Sequence, residues 1–305
     1  MARRIKDPGI GAASNENARR FVNQDGSFNI KHRNKRSQLS ETYSYLIDIS
    51  WPRFFVYVFL GYILLNSLFA LCYTIIGVEA ITTPSGNIFR DFLKAFFFSA
   101  QTITTVGYGA LAPKGIVFGF ISSFEAMIGL LSFSFITGLL YGRFSKPHAN
   151  IRFSKVMVLR KHGDHDALMF RLMSSSASTM IQPRIEVTLT LSEKDETGAY
   201  KNNFYRLTLE RDKITYLPTT WTIVHVIDEN SPFSTYDREQ LCNLRGEFLI
   251  MASYYEESFN QEVYQIHSYV LKNIRIDHAF QKAYYYDEEG YTVLDHELLD
   301  ETYSL

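Results

Sequence analysis

Cysteine is nearly absent from this sequence, with two among 305 residues, Cys72 and Cys242. Two thiols so placed cannot build a disulfide scaffold, and neither stands at metal-ligand spacing from a second Cys or a His. Both read as small buried hydrophobes. No strong charge of either sign is present, the formal net charge being −1, and nucleic acid is not an expected partner. The first 50 residues are polar and basic with no apolar core, so they are not read as a signal peptide. Histidines such as His148, His162, His165, His225, His267, His278 and His296 form no HExxH or similar constellation. Neither a P-loop nor a dinucleotide fingerprint occurs, and no enzyme site is read.

Long hydrophobic runs are few but decisive. The apolar residues concentrate between about residues 54 and 142, with polar flanks. Phe54–Val78 carries no charge and, as a helix, extends about 37 Å, enough to cross a hydrocarbon core with some tilt. Gly115–Gly142 is also long enough, and its one charge is Glu125. The stretch between them, Ile88–Thr104, is too short to span and is broken by Arg90, Asp91 and Lys94. A short helix followed by a Gly-rich run reads as a re-entrant loop. Non-helical backbone is tolerated at membrane depth only where protein or a water-filled cavity satisfies it, which implies a pore. Lys and Arg are dense before the first span (Arg19, Arg20, Lys31, Arg33, Lys35, Arg36) and after the second (Arg143, Lys146, Arg152, Lys155). Both termini are therefore expected on the cytoplasmic side of a multi-pass protein of the cell membrane.

The Gly-rich run is Thr105-Val106-Gly107-Tyr108-Gly109, the TVGYG sequence of potassium filters. Four such loops around an axis aim carbonyl oxygens inward to replace the hydration shell of K+, the permeant ion. The oxygens of Thr105, Val106, Gly107 and Tyr108 are the expected ligands. Gly107 and Gly109 allow backbone conformations that a Cβ obstructs. The Tyr108 side chain should point away from the axis. One loop supplies a quarter of a ring, so a homotetramer is expected. No Arg-rich helix is present to sense voltage.

Several stretches then resemble the inward-rectifier potassium channel family. They are Arg20-Phe21-Val22, Asp25-Gly26 and Asn29-Ile30 near the N-terminus, Ser50-Trp51-Pro52-Arg53-Phe54-Phe55 before the first span, and Arg143-Phe144-Ser145-Lys146-Pro147 after the second. In the polar half they are Phe153-Ser154-Lys155, Leu168-Met169-Phe170-Arg171 and Thr222-Ile223-Val224-His225-Val226-Ile227-Asp228. Animal members carry two extracellular cysteines around the pore loop and a Glu–Arg pair about the filter. Here no cysteine lies there, and Gln101 and Ala110 or Leu111 replace the pair. The sequence resembles the prokaryotic branch, often called KirBac.

That resemblance implies a two-span helical pore module, tetrameric, with a C-terminal all-β immunoglobulin-like cytoplasmic domain. The expected divisions are an arm over 1–36, an amphipathic slide helix over 37–52, a pore domain over 53–148 and a β-sandwich over 149–305. Leu39, Tyr43, Leu46 and Ile47 share one face of the slide helix. Arg184–Leu191, Phe204–Leu209 and Glu247–Met251 read as strands, with a polar turn over 192–203. Residues 1–19 are expected to be disordered.

By alignment with the family, Phe133 takes a pore-facing position where strong rectifiers have an acid, so rectification should be weak. Tyr141 takes the place of the side chain that closes the inner-helix bundle; its rival role is interfacial anchor. Glu257 matches an acid lining the cytoplasmic path, near a constricting loop over 258–264. Gly129 and Gly138 read equally as hinges or as close-packing positions. Glu125 reads as a functional acid or as a hydrogen-bonded acid behind the pore helix. Arg33, Lys35, Arg36, Arg143 and Lys146 would meet anionic lipid headgroups, as regulation or plain anchoring. Block by Mg2+ or polyamines is also implied. The rivals are a two-span channel of another family and a membrane-anchored β-sandwich adaptor that conducts nothing.

Overall fold

The computed structural model describes residues 4–15, 19–34, 39–147, 149–176, 179–194, 196 and 198–305. The chain divides into two compact units, Asn34–Lys146 and a second made of Met1–Arg33 with Pro147–Leu305.

The first unit contains helices α1 (Leu39–Asp48), α2 (Trp51–Ile76), α3 (Ile88–Ile103) and α4 (Ile116–Phe144). α2 and α4 are long and apolar enough to cross a membrane. Phe59, Leu64, Leu68, Phe120, Phe124 and Leu131 lie exposed along them, a surface that suits lipid or further protein rather than water. Read from sequence, Trp51 and Pro52 close the amphipathic segment. In the structure they open α2, where Pro in the first turn forfeits no helical hydrogen bond.

α1 is short and amphipathic, and its apolar face rests on the end of α4. Ile49, Phe54 and Leu139 bury one another there, with Leu46, Ile47, Val58 and Leu140 around them. Arg143 fastens this joint. It is 9% exposed, and its guanidinium donates to the carbonyls of Leu46 at 2.6 Å, Ile47 at 2.8 Å and Ile49 at 2.6 Å. It also lies over the rings of Trp51 and Phe54, at 4.5 and 4.7 Å. A cation at the carbonyl end of a helix is favourable on electrostatic grounds as well. The expectation that Arg143 meets lipid headgroups is therefore corrected, because the side chain is buried and both its terminal nitrogens donate to the carbonyls at the end of α1 and just beyond it.

The second unit is β-rich. Its strands are β1 (Arg4–Ile5), β2 (Ile151–Phe153), β3 (Met157–His162), β4 (His165–Ser174), β5 (Met180–Lys194), β6 (Tyr200–Arg206), β7 (Tyr216–Leu217), β8 (Thr220–Ile227), β9 (Gly246–Glu256), β10 (Gln261–Val270), β11 (Ile274–Ile276), β12 (His278–Phe280), β13 (Tyr284–Tyr286), β14 (Thr292–Leu294) and β15 (Thr302–Ser304). A short helix, α5 (Arg238–Asn243), precedes β9. One sheet runs β1-β6-β5-β9-β10, with β7 on β5; the other runs β11-β3-β4-β2, with β8 on β4. Along β5 the residues Ile185, Val187, Leu189 and Leu191 point inward, the period-two pattern of a half-buried strand. They meet Leu159, Leu168, Phe170 and Leu172 of the other sheet in one core. The two sheets thus form a sandwich. β4 is buried on both faces, since Ala167 and Met169 on its outer side cluster with Val158 of β3, Val224 and Phe280.

Three expectations shift. β5 runs through Lys194 and β6 starts at Tyr200, so the turn is shorter than 192–203; β6 also ends at Arg206, short of Leu209. Residues 4–15 are not a loose tail, because Arg4 and Ile5 pair with Tyr205 and Phe204, and Ala13 bridges Lys201. The described part of the arm up to Arg33 groups with the β unit. The Glu247 carboxylate accepts the backbone N–H of Phe21 at 2.8 Å and of Val22 at 3.1 Å, while Arg20 donates to the Ser268 carbonyl at 2.9 Å.

His267 lies beneath this arm, stacked on Phe153 at 4.5 Å with Tyr269 edge-on at 4.6 Å. Burial pushes its pKa down to about 4, and the nearby Arg20 charge acts in the same direction. The folded form therefore holds it neutral while the unfolded chain protonates from about pH 6.5 downward. Stability is full above that pH and is lost as the pH falls toward 4, by about 3 kcal/mol at pH 4.5. Thermal unfolding in detergent should fall over this range in the wild type and fall less in His267→Phe, which keeps the ring stack. Equal pH slopes in the two proteins would assign the loss to other groups.

Candidate ion-conduction site

α3 is built to present its C-terminal end. Asn87 caps its start, the side-chain oxygen accepting from Phe89 N at 3.0 Å and Arg90 N at 3.3 Å. Asp91 in the first turn accepts from Ser85 N at 2.8 Å, and Lys94 donates to the Thr83 carbonyl at 2.8 Å. Two of the charges that interrupt this apolar stretch, Asp91 and Lys94, thus serve the turn before the helix. The opposite, carbonyl end carries the negative pole of the helix dipole and leads straight into Thr105, an arrangement that favours a cation there.

The next five residues turn sharply. Thr105, Gly107 and Gly109 have φ of 59°, 52° and 81°, while Val106 and Tyr108 between them do not have positive φ. Alternating the sign of φ rotates successive peptide planes the same way, so successive carbonyls share one side instead of alternating as in a strand. The amides turn back: Thr105 N donates to Thr102 O at 3.1 Å, and Val106 N and Gly107 N to Gln101 O at 2.9 and 3.3 Å. Among the described residues no hydrogen bond reaches the carbonyls of Thr105–Gly109. The loop therefore has its first three amides bonded back to α3 and its carbonyls free, an arrangement that suits a cation. A Cβ at Gly107 or Gly109 meets nothing within 4 Å, so glycine is required there by φ and not by space. Thr105 was not expected in the left-handed region; a β-branched residue there is strained by roughly 1–3 kcal/mol.

Glu125 is completely buried on α4 and accepts from the Tyr73 hydroxyl at 2.6 Å. This is the hydrogen-bonded acid behind the pore helix. Its partner on α2 had no signal in the sequence. Gly129, one turn on, abuts α3: an added Cβ would lie 2.4 Å from the Ile103 carbonyl oxygen. Close packing, not hinging, explains that glycine in this chain. Gly138 has nothing within 4 Å.

Phe133 and Tyr141 are 70% and 74% exposed. With Thr137 they recur every fourth residue, so all three share one helical face. The other side of α4 at this level is occupied, since Leu139 and Arg143 bury against α1 and α2. Lys146 pairs with Asp48 at the end of α1, which leaves it partly committed. In the β unit, Arg33 is exposed, and Glu257 lies exposed on a 3-10 turn (Glu257–Phe259) that closes the β9–β10 hairpin. Lys35 and Arg36 lie outside the described residues.

Comparison with known proteins agrees with this architecture. Residues 57–146 match the ion channel family, and residues 151–305 match the inward rectifier potassium channel C-terminal domain. The inward rectifier potassium channel Kirbac3.1 of Paramagnetospirillum magnetotacticum is 35% identical over 82% of this chain and 84% of its own. The G protein-activated inward rectifier potassium channel 3 of human and of mouse is 24% identical over 94% of this chain and 78% of theirs. Two solved structures, a macrocyclization catalyst of alchivemycin A biosynthesis and the Pseudomonas fluorescens DNA glycosylase AlkC, align at TM-scores of 0.22 and 0.20, too low to carry an argument. With a channel unit and an inward-rectifier C-terminal unit in tandem, and with that identity spread over both, the chain belongs to the inward rectifier potassium channel family, in its prokaryotic KirBac-type branch, and is an ion channel rather than an enzyme.

Proposed function

We propose that four copies of this chain assemble around an axis and conduct K+ passively through a filter made of Thr105, Val106, Gly107, Tyr108 and Gly109. The observation that carries this reading is the loop in which alternate residues have positive φ, the first three amides turn back to the pore helix and the carbonyls stay free. A tetramer gives those carbonyls a common ion and gives the exposed Tyr108 ring a neighbour to brace against. The chain is proposed to cross the cell membrane twice with both termini cytoplasmic, and the β-sandwich to be an immunoglobulin-like cytoplasmic domain. Native mass spectrometry should find four chains, and purified protein in K+-loaded liposomes should take up rubidium in a barium-sensitive way. A stable dimer without uptake would sink the proposal.

Tyr141 is proposed as the gate, on the face it shares with Phe133. Four aromatic side chains there form an apolar constriction that excludes a hydrated ion. Arg143 supports a mechanical route to it, because it ties α1 to α4 two residues beyond Tyr141. Anionic lipids acting on α1 would be felt at the gate; Arg33, Lys35, Arg36 and Lys146 remain the proposed lipid contacts. Gly138, free of neighbours, is the proposed hinge.

Rectification is proposed to be weak, because Phe133 places no charge on the pore-facing side and Glu257 offers the only cytoplasmic acid proposed for the path. Phe133→Asp should strengthen voltage-dependent block by spermine or Mg2+ by at least about tenfold, the scale of one charge acting on a multivalent blocker at low dielectric. Bilayer recordings with spermine on the β-unit side measure it. Strong block already present in the wild type would contradict the reading.

A further inference from the structure

A fully buried carboxylate inside a membrane span is costly and needs a reason to persist. Glu125 makes no ion pair among the described residues. Its Oε2 takes the Tyr73 hydroxyl at 2.6 Å and its Oε1 has no partner. Tyr73 is itself completely buried, its ring edge-on to Phe98 of α3 at 5.2 Å and stacked on Phe118 of α4 at 5.7 Å. One side chain of α2 thus wedges between the pore helix and the inner helix, and Glu125 pins its tip.

The neighbouring contacts point the same way. Ser99 on α3 donates to Asn66 Oδ1 at 3.0 Å, and the Asn66 amide donates to the Tyr62 carbonyl at 2.7 Å. Asn66 and Tyr73, seven residues apart, lie on one face of α2. The pore helix is therefore held at Phe98 and Ser99, and Gly129 packs against Ile103 one turn further on. Gln101 lies between these two holds, and its carbonyl anchors the amides of Val106 and Gly107. A shift of α3 at this level moves the atom from which the ion-binding loop hangs.

We infer that Tyr73 and Glu125 act as one positioning unit for the filter, so that discrimination between K+ and Na+ depends on the hydrogen bond between the two spanning helices. This rests on the proposal that Thr105–Gly109 is the filter. The bond fixes where α3 ends; the loop then offers its oxygens at the spacing that suits K+. Without it the wedge loosens and the oxygens tolerate a smaller ion.

The test is the K+ over Na+ permeability ratio of purified channels in planar bilayers, for the wild type, Tyr73→Phe, Glu125→Gln, Glu125→Leu and Tyr73→Phe with Glu125→Leu. A non-selective wild type would defeat the filter proposal itself, separately from this inference. Given a selective wild type, Tyr73→Phe should lower the ratio about tenfold, the equivalent of one buried hydrogen bond. That variant keeps the ring and its packing, so it decides the matter even where Glu125→Leu fails to assemble. Glu125→Gln keeps an acceptor for Tyr73 and should retain selectivity. The double variant should be no worse than Glu125→Leu alone, as for residues acting as a unit. Wild-type selectivity in assembled Tyr73→Phe channels, or loss in Glu125→Gln equal to that in Glu125→Leu, would overturn the assignment.

Discussion

Gly107→Ala should abolish potassium-selective flux while leaving the tetramer intact. Gly107 sits at φ 52° with open space around its missing Cβ. Alanine meets no steric wall there and instead pays the cost of the left-handed region, roughly 1–2 kcal/mol per subunit. Four subunits share the ring, so the strain is felt four times, and the relief available is a peptide flip that turns a carbonyl away from the ion. Rubidium uptake should fall by more than about tenfold, because the strain of even one or two subunits is worth that in rate or occupancy. Wild-type uptake and selectivity in an assembled Gly107→Ala channel would contradict the filter proposal.

Tyr141→Ala should raise basal flux several-fold. The side chain is 74% exposed in the single chain, which by itself suits both a gate and a lipid anchor. The gate proposal rests on the face: Tyr141 shares it with Phe133 and Thr137, whereas the joint with α1 and α2 is made by Leu139 and Arg143. Removing the ring from a gate widens and wets the constriction. Removing it from an anchor lowers stability or shifts lipid dependence and leaves basal flux alone. Unchanged flux from a stable Tyr141→Ala tetramer would rule out the gate.

Much of the architecture is legible in the sequence because it is written in local patterns. Charge-free runs mark the spans, and α3 and α4 fall within two residues of the expected segments. Alternation along Arg184–Leu191 marks β5. The Thr105–Gly109 motif marks the ion site by its glycines, although the strained φ of Thr105 is set by the turn from α3 and has no residue signature. What the sequence hides are contacts between distant positions. Arg143 reads as an ordinary basic residue after a span; only the fold reveals that α1 ends beside it, with the carbonyls of Leu46, Ile47 and Ile49 accepting from its terminal nitrogens. Tyr73 reads as one aromatic among many until Glu125 is found against its hydroxyl. The N-terminal arm has no apolar periodicity, because its attachment is made by backbone amides on Glu247 and by pairing of β1 with β6. Trp51-Pro52 misleads for a local reason, since Pro both ends helices and starts them.

The central claim is that this chain forms a potassium-selective pore, and the reversal potential of the purified wild-type protein in a planar bilayer tests it most directly. With K+ tenfold more concentrated on one side and Na+ making up the difference on the other, the current should reverse close to the K+ equilibrium potential and vanish on addition of barium. A reversal near zero, with Na+ carried as well as K+, would contradict it.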